Sequence, residues 1–258
     1  MPQQVQQPAH RDSSGTDEMP EGPGRLRTVV LDAGHGGKDP GCVGRTSRES
    51  RIVLKIALKV GQRIKQEMPG VRVIYTRSTD KFIELSERSN IANRNKADLF
   101  ISIHCNASPS SSRVYGTETY TMGLHKTNGN LDVAKRENAV IKKEENYQET
   151  YKGFDPDSPL AHIMLANYQH AFMNSSIDFA QKVEYCFKKY ADRSSRGVKQ
   201  AGFLVLWRTT MPSVLIETGY LTNPNEERYL ASEAGQDEIS ASIVQAFKAY
   251  KHEVDTVD

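Results

Sequence analysis

The chain has 258 residues, 37% of them hydrophobic and 26% charged, which is enough apolar content for one large domain with a sizeable core. A formal net charge of +2 gives no strongly basic surface of the kind nucleic acid selects, and no apolar run approaches the roughly 18–20 residues of a membrane span. Cys42, Cys105 and Cys186 are too few and too scattered for a disulfide framework or a Cys-rich zinc site, so buried or half-buried thiols are expected.

Residues 1–24, rich in Gln, Pro, Gly and Ser and lacking an apolar segment, read as a disordered tail and not as a secretory signal. The remainder, 25–258, reads as one domain in which apolar β-branched runs alternate with helical segments, the pattern of an α/β layer architecture. Residues 26–33 are the first strand, and DAGHGG then turns sharply, its glycines letting the backbone carry His35 toward a cleft. Thr46 or Ser47 is placed to cap a helix with Ile52, Val53, Ile56, Ala57, Val60 and Ile64 on one apolar face, so Glu49 falls in its first turn. A strand over 71–77, a helix over 85–96 and a buried strand over 98–104 follow. Between 123 and 176 the pattern changes. A Lys/Glu-rich helix over 131–151 mixes both charges on an exposed face, and after a Pro/Gly/Asp break a long helix runs over 162–190. Strands at 115–122, 203–207 and 213–217 and a helix at 239–250 complete the domain.

Open α/β sheets place their ligand sites beyond the carboxyl ends of the strands. His35, His104 and Glu217 fall at such ends, and Glu49 opens a helix beside them. Two imidazoles and one carboxylate make a three-ligand catalytic zinc site with a position left for water, and a second carboxylate can move protons. One histidine in a glycine-rich turn would carry little weight; the ordered set LDAGHGG, SRES, ISIHCNA and VLIETGY carries much more. Against Glu49 stands the ordinary use of an acid in a first helical turn, and Glu217, after a buried strand, must pair with a cation or face the site. Asn106, just behind His104, and Arg77, at a strand end in YTRSTD, could each bond substrate, orient a ligand or satisfy loop backbone, with the last favoured for Arg77. Alternation on the strand turns Cys105 away from His104. His162 and His170, two turns apart on a helix, read as packing or exposed residues, and His125 as a loop residue.

Taken together, VVLDAGHGGKDPG, the Glu that opens the next helix, ADLFISIHCNA and PSVLIETGYLTNPNEE resemble the zinc N-acetylmuramoyl-L-alanine amidases of bacterial peptidoglycan, in the group typified by the cell-separation amidases, over about residues 26–250. The resemblance implies a three-layer αβα fold with a central mixed, mostly parallel sheet, like that of zinc exopeptidases, plus a helical insertion at about 123–176. It implies cleavage of the amide between N-acetylmuramic acid and L-alanine, with one Zn2+ held by His35, Glu49 and His104 and with Glu217 as acid/base. It further implies an insertion that occludes the zinc until an activator protein displaces it; in KKEEN, Glu144 or Glu145 would then complete the metal's coordination. Peptidoglycan is the expected partner, in cell-wall remodelling and daughter-cell separation. The expected location is periplasmic or secreted, with any signal already removed, and the expected state is a monomer. The rivals are another zinc peptidase or deacetylase on a related fold, and a non-catalytic wall-binding protein. A two-zinc aminopeptidase would want further Asp and His ligands at the same strand ends, and a wall-binding protein normally loses a ligand or the catalytic Glu.

Overall fold

Strand alternation sorts the apolar residues of this chain onto two faces, and helices cover both. The computed structural model describes residues 25–166 and 171–256; the tail at 1–24 and His170 lie outside the described residues. In chain order the elements are β1 (Thr28–Ala33), α1 (Glu49–Glu67), β2 (Arg72–Tyr75), α2 (Leu85–Arg94), β3 (Leu99–Asn106) and β4 (Thr117–Met122). The inserted region holds α3 (Asn128–Asn138), a 3-10 turn (Ala139–Lys143), α4 (Tyr147–Thr150) and α5 (Pro159–Ala166). After it come α6 (Met173–Tyr190), β5 (Ser195–Ala201), α7 (Leu204–Trp207), β6 (Ser213–Tyr220), α8 (Pro224–Ala231) and α9 (Glu233–Thr256).

The strands form one mixed sheet in the order β2-β1-β3-β6-β4-β5. β2, β1, β3 and β6 run parallel, whereas β4 is antiparallel to β6 and parallel to β5. Val29, Leu31, Ile101, Ile103, Val214 and Ile216 bury against α1, α6 and α9 on one face. Their neighbours Val30, Phe100 and Leu215 point the other way, into a second core with Phe203, Leu204 and Leu206 and with Val133, Ala134, Val140 and Ile141 of the insertion. This period-two sorting puts His104 and Glu217, paired in register across β3 and β6, on the second face and Cys105 on the first.

Four expectations are corrected. Residues 203–207 are largely the short helix α7, and the strand at this edge is β5; SRGVKQA carries too little apolar character to announce itself, while a five-residue apolar run fits a strand or a buried helical turn equally. The helix expected over 131–151 ends at Asn138 and passes into a 3-10 turn, and the one expected over 162–190 is α5 and α6 as separate elements. Neither Thr46 nor Ser47 caps α1: the N-cap is Arg48, without a side-chain cap bond, because the Ser47 hydroxyl donates to Glu227.

Helix α9 closes the first core through Ile239, Ile243, Phe247 and Tyr250, with the Tyr250 ring 5.3 Å from that of Phe179. Phe247 is fully buried, so Phe247→Ala is expected to cost about 3–5 kcal/mol. Urea unfolding measures this; a loss below about 1 kcal/mol would mean that α9 is not part of the cooperative core.

Candidate metal centre

The turn after β1 is built for close approach. His35 sits at φ 59° and is followed by Gly36 and Gly37 at positive φ, and the chain folds back so that Gly36 and Asp39 exchange backbone hydrogen bonds of 2.8 and 3.0 Å. A methyl group on Gly34 would overlap the His104 imidazole, which is why the sequence reads AGH at this point. Arg77, buried at the end of β2, donates to the carbonyls of Ala33, Gly34, Ser50 and Thr79 and so braces the turn against the start of α1.

Glu49 is fully buried, held by backbone N–H groups on both oxygens: Cys105 N donates to Oε1 at 2.8 Å and Cys42 N to Oε2 at 2.7 Å. Around its Oε1 lie His35 Nε2 and His104 Nδ1, each at 3.1 Å. A fourth group closes the set: Glu137 Oε2, from the last turn of α3, lies 3.2 Å from His35 Nε2 and 3.1 Å from His104 Nδ1. Among the described residues, His35, Glu49, His104 and Glu137 are the group able to hold a metal, with one ligand atom from each within 4.8 Å of all the others. Ligand atoms at the corners of a tetrahedral zinc site with bonds of about 2.0 Å stand about 3.3 Å apart, close to the four cross-distances here. His35 Nε2 and Glu137 Oε2 are buried without a hydrogen-bond partner, an arrangement that costs energy unless a cation sits between them.

The far nitrogens fix the tautomers. Asp39 Oδ2 takes a bond from His35 Nδ1 at 2.6 Å, and Ser102 Oγ takes one from His104 Nε2 at 3.1 Å while donating to Asp32 Oδ2 at 2.6 Å. Each imidazole therefore turns its other nitrogen, His35 Nε2 and His104 Nδ1, inward, as metal ligands anchored through the far nitrogen do. Burial disfavours a charged imidazole, yet the surrounding carboxylates reverse this: Glu137 and Glu49 push His104 up to about 9, and Glu49, Asp39 and Glu137 raise His35 well above its ordinary value. The same negative potential would attract a divalent cation.

Glu217, at the end of β6, is fully buried, and its carboxyl is raised well above the usual range by burial and by the Glu137 charge, against which Arg136 acts. Arg136 Nη2 reaches Glu217 Oε1 at 3.4 Å, and Glu217 Oε2 has no partner. Asn106 borders this pair, accepting from Arg136 Nη2 at 3.0 Å. The structure thus gathers His35, Glu49, His104, Glu217 and Asn106 in one site. Glu144 and Glu145 are not part of it: Glu144 is buried elsewhere, accepting from Leu85 N and the Tyr151 hydroxyl, and Glu145 is exposed. Sequence reading missed Glu137 because it took the helix to run on to 151, which put KKEEN at its middle; the local signal was the run Arg136-Glu137-Asn138 at the end of α3. His162 is a packed histidine, with contacts to Pro156 O at 2.9 Å and Gly202 O at 3.3 Å.

A mixed α/β sheet that gathers two histidines and two carboxylates able to hold a metal ion, with a further buried carboxyl at a strand end, is the arrangement of α/β hydrolases that work with a metal. Over residues 29–249 the sequence matches N-acetylmuramoyl-L-alanine amidase (Amidase_3), and the chain belongs to this family of peptidoglycan amidases. It is 32% identical to N-acetylmuramoyl-L-alanine amidase AmiA of Escherichia coli strain K12 over 89% of this chain and 78% of that one. The N-acetylmuramoyl-L-alanine amidase of Clostridium difficile 630 superposes with a TM-score of 0.67 at 27% identity, over 91% of this chain and all of the other. The CwlD amidase from Clostridioides difficile, solved in complex with the GerS lipoprotein, superposes with a TM-score of 0.63 at 26% identity, over 87% of this chain and 98% of that one.

The loop that delivers Glu49 is tied down from α8. Glu227 Oε1 accepts from Thr46 N, Ser47 N and the Ser47 hydroxyl at 2.8, 3.0 and 2.7 Å. Burial would raise this carboxyl, but the donors outweigh it and lower it from 4.5 to about 2. A depressed carboxylate adds stability above its unfolded pKa and loses it as pH falls through the folded value. Glu227→Gln is therefore expected to be less stable than the parent at neutral pH, with the gap closing between pH 4.5 and about 2. Urea midpoints across this range test it, and a gap independent of pH would contradict it.

Proposed function

We propose that the chain is a zinc amidase that hydrolyses the bond between N-acetylmuramic acid and L-alanine, with His35, Glu49 and His104 as metal ligands and Glu217 as the acid/base. The observation that carries this reading is the set of four cross-distances of 3.1–3.2 Å around two orphaned buried atoms. When bound, zinc supplies Lewis-acid activation of water and of the amide carbonyl. Asp39 and Ser102 keep the outer imidazole protons in place, so that the inner nitrogens remain free for the metal. Glu217, buried and with one oxygen unpaired, accepts a proton from the attacking water and delivers it to the departing amine.

Helix α3 supplies the off state in this reading. Glu137 occupies the fourth ligand position, Arg136 pairs with Glu217, and Lys143 Nζ bonds Asp39 Oδ1 at 2.6 Å. Substrate enters once a partner draws these groups out. Support for a partner comes from CwlD, solved with GerS, and from α5, where Leu160, Ile163 and Met164 stand exposed and offer an apolar surface to grip. A role in cell-wall remodelling and daughter-cell separation, in the periplasm or outside the cell, accords with a peptidoglycan substrate and with the absence, among the described residues, of a helix long and apolar enough to cross a membrane.

Deleting 131–151 would remove Val133, Ala134, Val140 and Ile141 from the second core, so single substitutions test the plug more cleanly. Glu137→Ala in the full chain is expected to raise the release of stem peptides beginning with L-alanine from purified peptidoglycan by about tenfold or more. Unchanged or reduced release from a folded Glu137→Ala protein would exclude the plug. Adding Glu217→Gln to that variant is expected to lower kcat by roughly 100- to 10,000-fold while zinc stays bound. Zinc is measured by elemental analysis, and His35→Ala or His104→Ala should lose it. Bound zinc with no peptide released by any form would overturn the amidase reading.

A further inference from the structure

We infer that Asn106 is a substrate-binding residue whose side-chain oxygen accepts the N–H of the scissile amide and so aligns the departing nitrogen with Glu217. The inference rests on the amidase reading above and deepens it.

The insertion itself marks the position. Three acceptors of the sheet domain face one spot, and the Arg136 guanidinium fills it: Nη1 lies 3.2 Å from Ala107 O, while Nη2 lies 3.0 Å from Asn106 Oδ1 and 3.4 Å from Glu217 Oε1. One N–H-bearing nitrogen thus sits between the proton donor and the asparagine oxygen. A leaving nitrogen that is to collect a proton from Glu217 must come within hydrogen-bond reach of the same carboxyl, and Arg136 Nη2 occupies such a place.

Asn106 is held in one orientation from behind. Its Nδ2 donates to Glu118 Oε2 at 3.3 Å, and its Oδ1 accepts from Ala107 N at 2.8 Å. Glu118 is buried and accepts from Tyr120 and Tyr220 hydroxyls, Arg196 Nε and Lys199 Nζ at 2.7, 2.6, 2.6 and 2.7 Å. An ionised carboxylate can only accept, so the NH2 of Asn106 must face Glu118 and its oxygen must face the cleft. Glu118 is also the register partner of Glu217 across β4 and β6. With two cations and two hydroxyls holding it ionised, Glu118 presents a fixed acceptor that orients the Asn106 amide.

The chemistry needs such an acceptor. Water oxygen bonds to the lactyl carbonyl carbon, the C–N bond breaks, and a water proton passes by way of Glu217 to nitrogen, leaving a lactyl carboxylic acid and the free amine of L-alanine. As the amide carbon becomes tetrahedral, the nitrogen lone pair has to point at Glu217. An N–H anchored on Asn106 Oδ1 points the lone pair away from the asparagine and toward that carboxyl. An ester has no N–H to anchor.

The test uses the full chain carrying Glu137→Ala, with Asn106 intact or changed to Ala or Leu. Two synthetic substrates are compared: a muramoyl-L-alanyl peptide, and its twin with L-lactate in place of L-alanine, which turns the scissile amide into an ester. Asn106→Ala and Asn106→Leu are expected to lower kcat on the amide by roughly 10- to 100-fold, with a smaller change in KM, and to change kcat on the ester by less than about threefold. Because each variant is judged by its amide-to-ester ratio, the intrinsic reactivity of the two substrates cancels. Zinc content should match that of the parent, and circular dichroism should show the fold retained at the assay temperature although the loss of the buried bond to Glu118 lowers the unfolding temperature. Equal losses on both substrates, or no loss on the amide, overturn the role of Asn106 and leave the amidase reading standing. No amide hydrolysis with Asn106 intact overturns both.

Discussion

Three carboxylates, Glu49, Glu137 and Glu217, are buried around two imidazoles, and most of the site follows from the need to balance their charge. Backbone N–H groups of Cys42 and Cys105 hold Glu49 where a side-chain cation would have blocked the centre. Arg88, also buried, pairs with Asp32 and donates to the Ala33 and His35 carbonyls, so the support beneath both histidines is itself neutralised. Truncating one member of such a buried pair leaves the other charge uncompensated, at a cost of about 3–5 kcal/mol. What remains is a net demand for positive charge at the point where four ligand atoms converge.

Much of this was legible in the sequence because strand ends are legible. LDAGHGG and ISIHCNA each combine an apolar strand with a chemically active residue at its carboxyl end, and a parallel pairing then brings the two ends together. Glu49 was weaker on local grounds, since its use as a ligand depends on a loop whose shape is set by Glu227, far away in sequence. Glu137 could not be picked out by charge pattern, because the insertion contains many Lys and Glu residues and the one that turns inward is chosen by where α3 stops. That stop depends on a tertiary contact: Asn138 Nδ2 donates to Gly202 O, and Asn138 Oδ1 accepts from Leu204 N in the segment 203–207 that itself read as a strand.

The insertion is part of the core and not an appendage. Val133, Ala134, Val140, Ile141 and Tyr151 share a cluster with Phe203, Leu204 and Leu215, and full burial of each larger side chain is worth about 1.5–3 kcal/mol. Lifting the whole segment would cost on the order of 10 kcal/mol. A partner of micromolar affinity has about 8 kcal/mol in total to spend on binding and opening together. On the proposed reading, opening is therefore local, withdrawing the last turn of α3 with Arg136 and Glu137 while the apolar anchors stay in place.

That restriction has a thermodynamic counterpart. If Glu137 shares the metal, closure and metal binding stabilise each other by the same factor, because coupling between two binding events is reciprocal. The Glu137 charge acts against the ionised forms of Glu49 and Glu217, so on the proposed reading a cation at the centre strengthens the seat of the plug. On that reading opening gives up one ligand, and His35, Glu49 and His104 would hold the ion alone. The supports of those three suit that state: Asp39 on His35, Ser102 on His104 and two backbone donors on Glu49 all belong to the sheet and its loops, and none of them lies in α3. On the proposed reading Arg136 and Glu137 leave together, one vacating the place of the departing nitrogen and the other the fourth position at the metal, so that a single local movement frees both halves of the reaction centre.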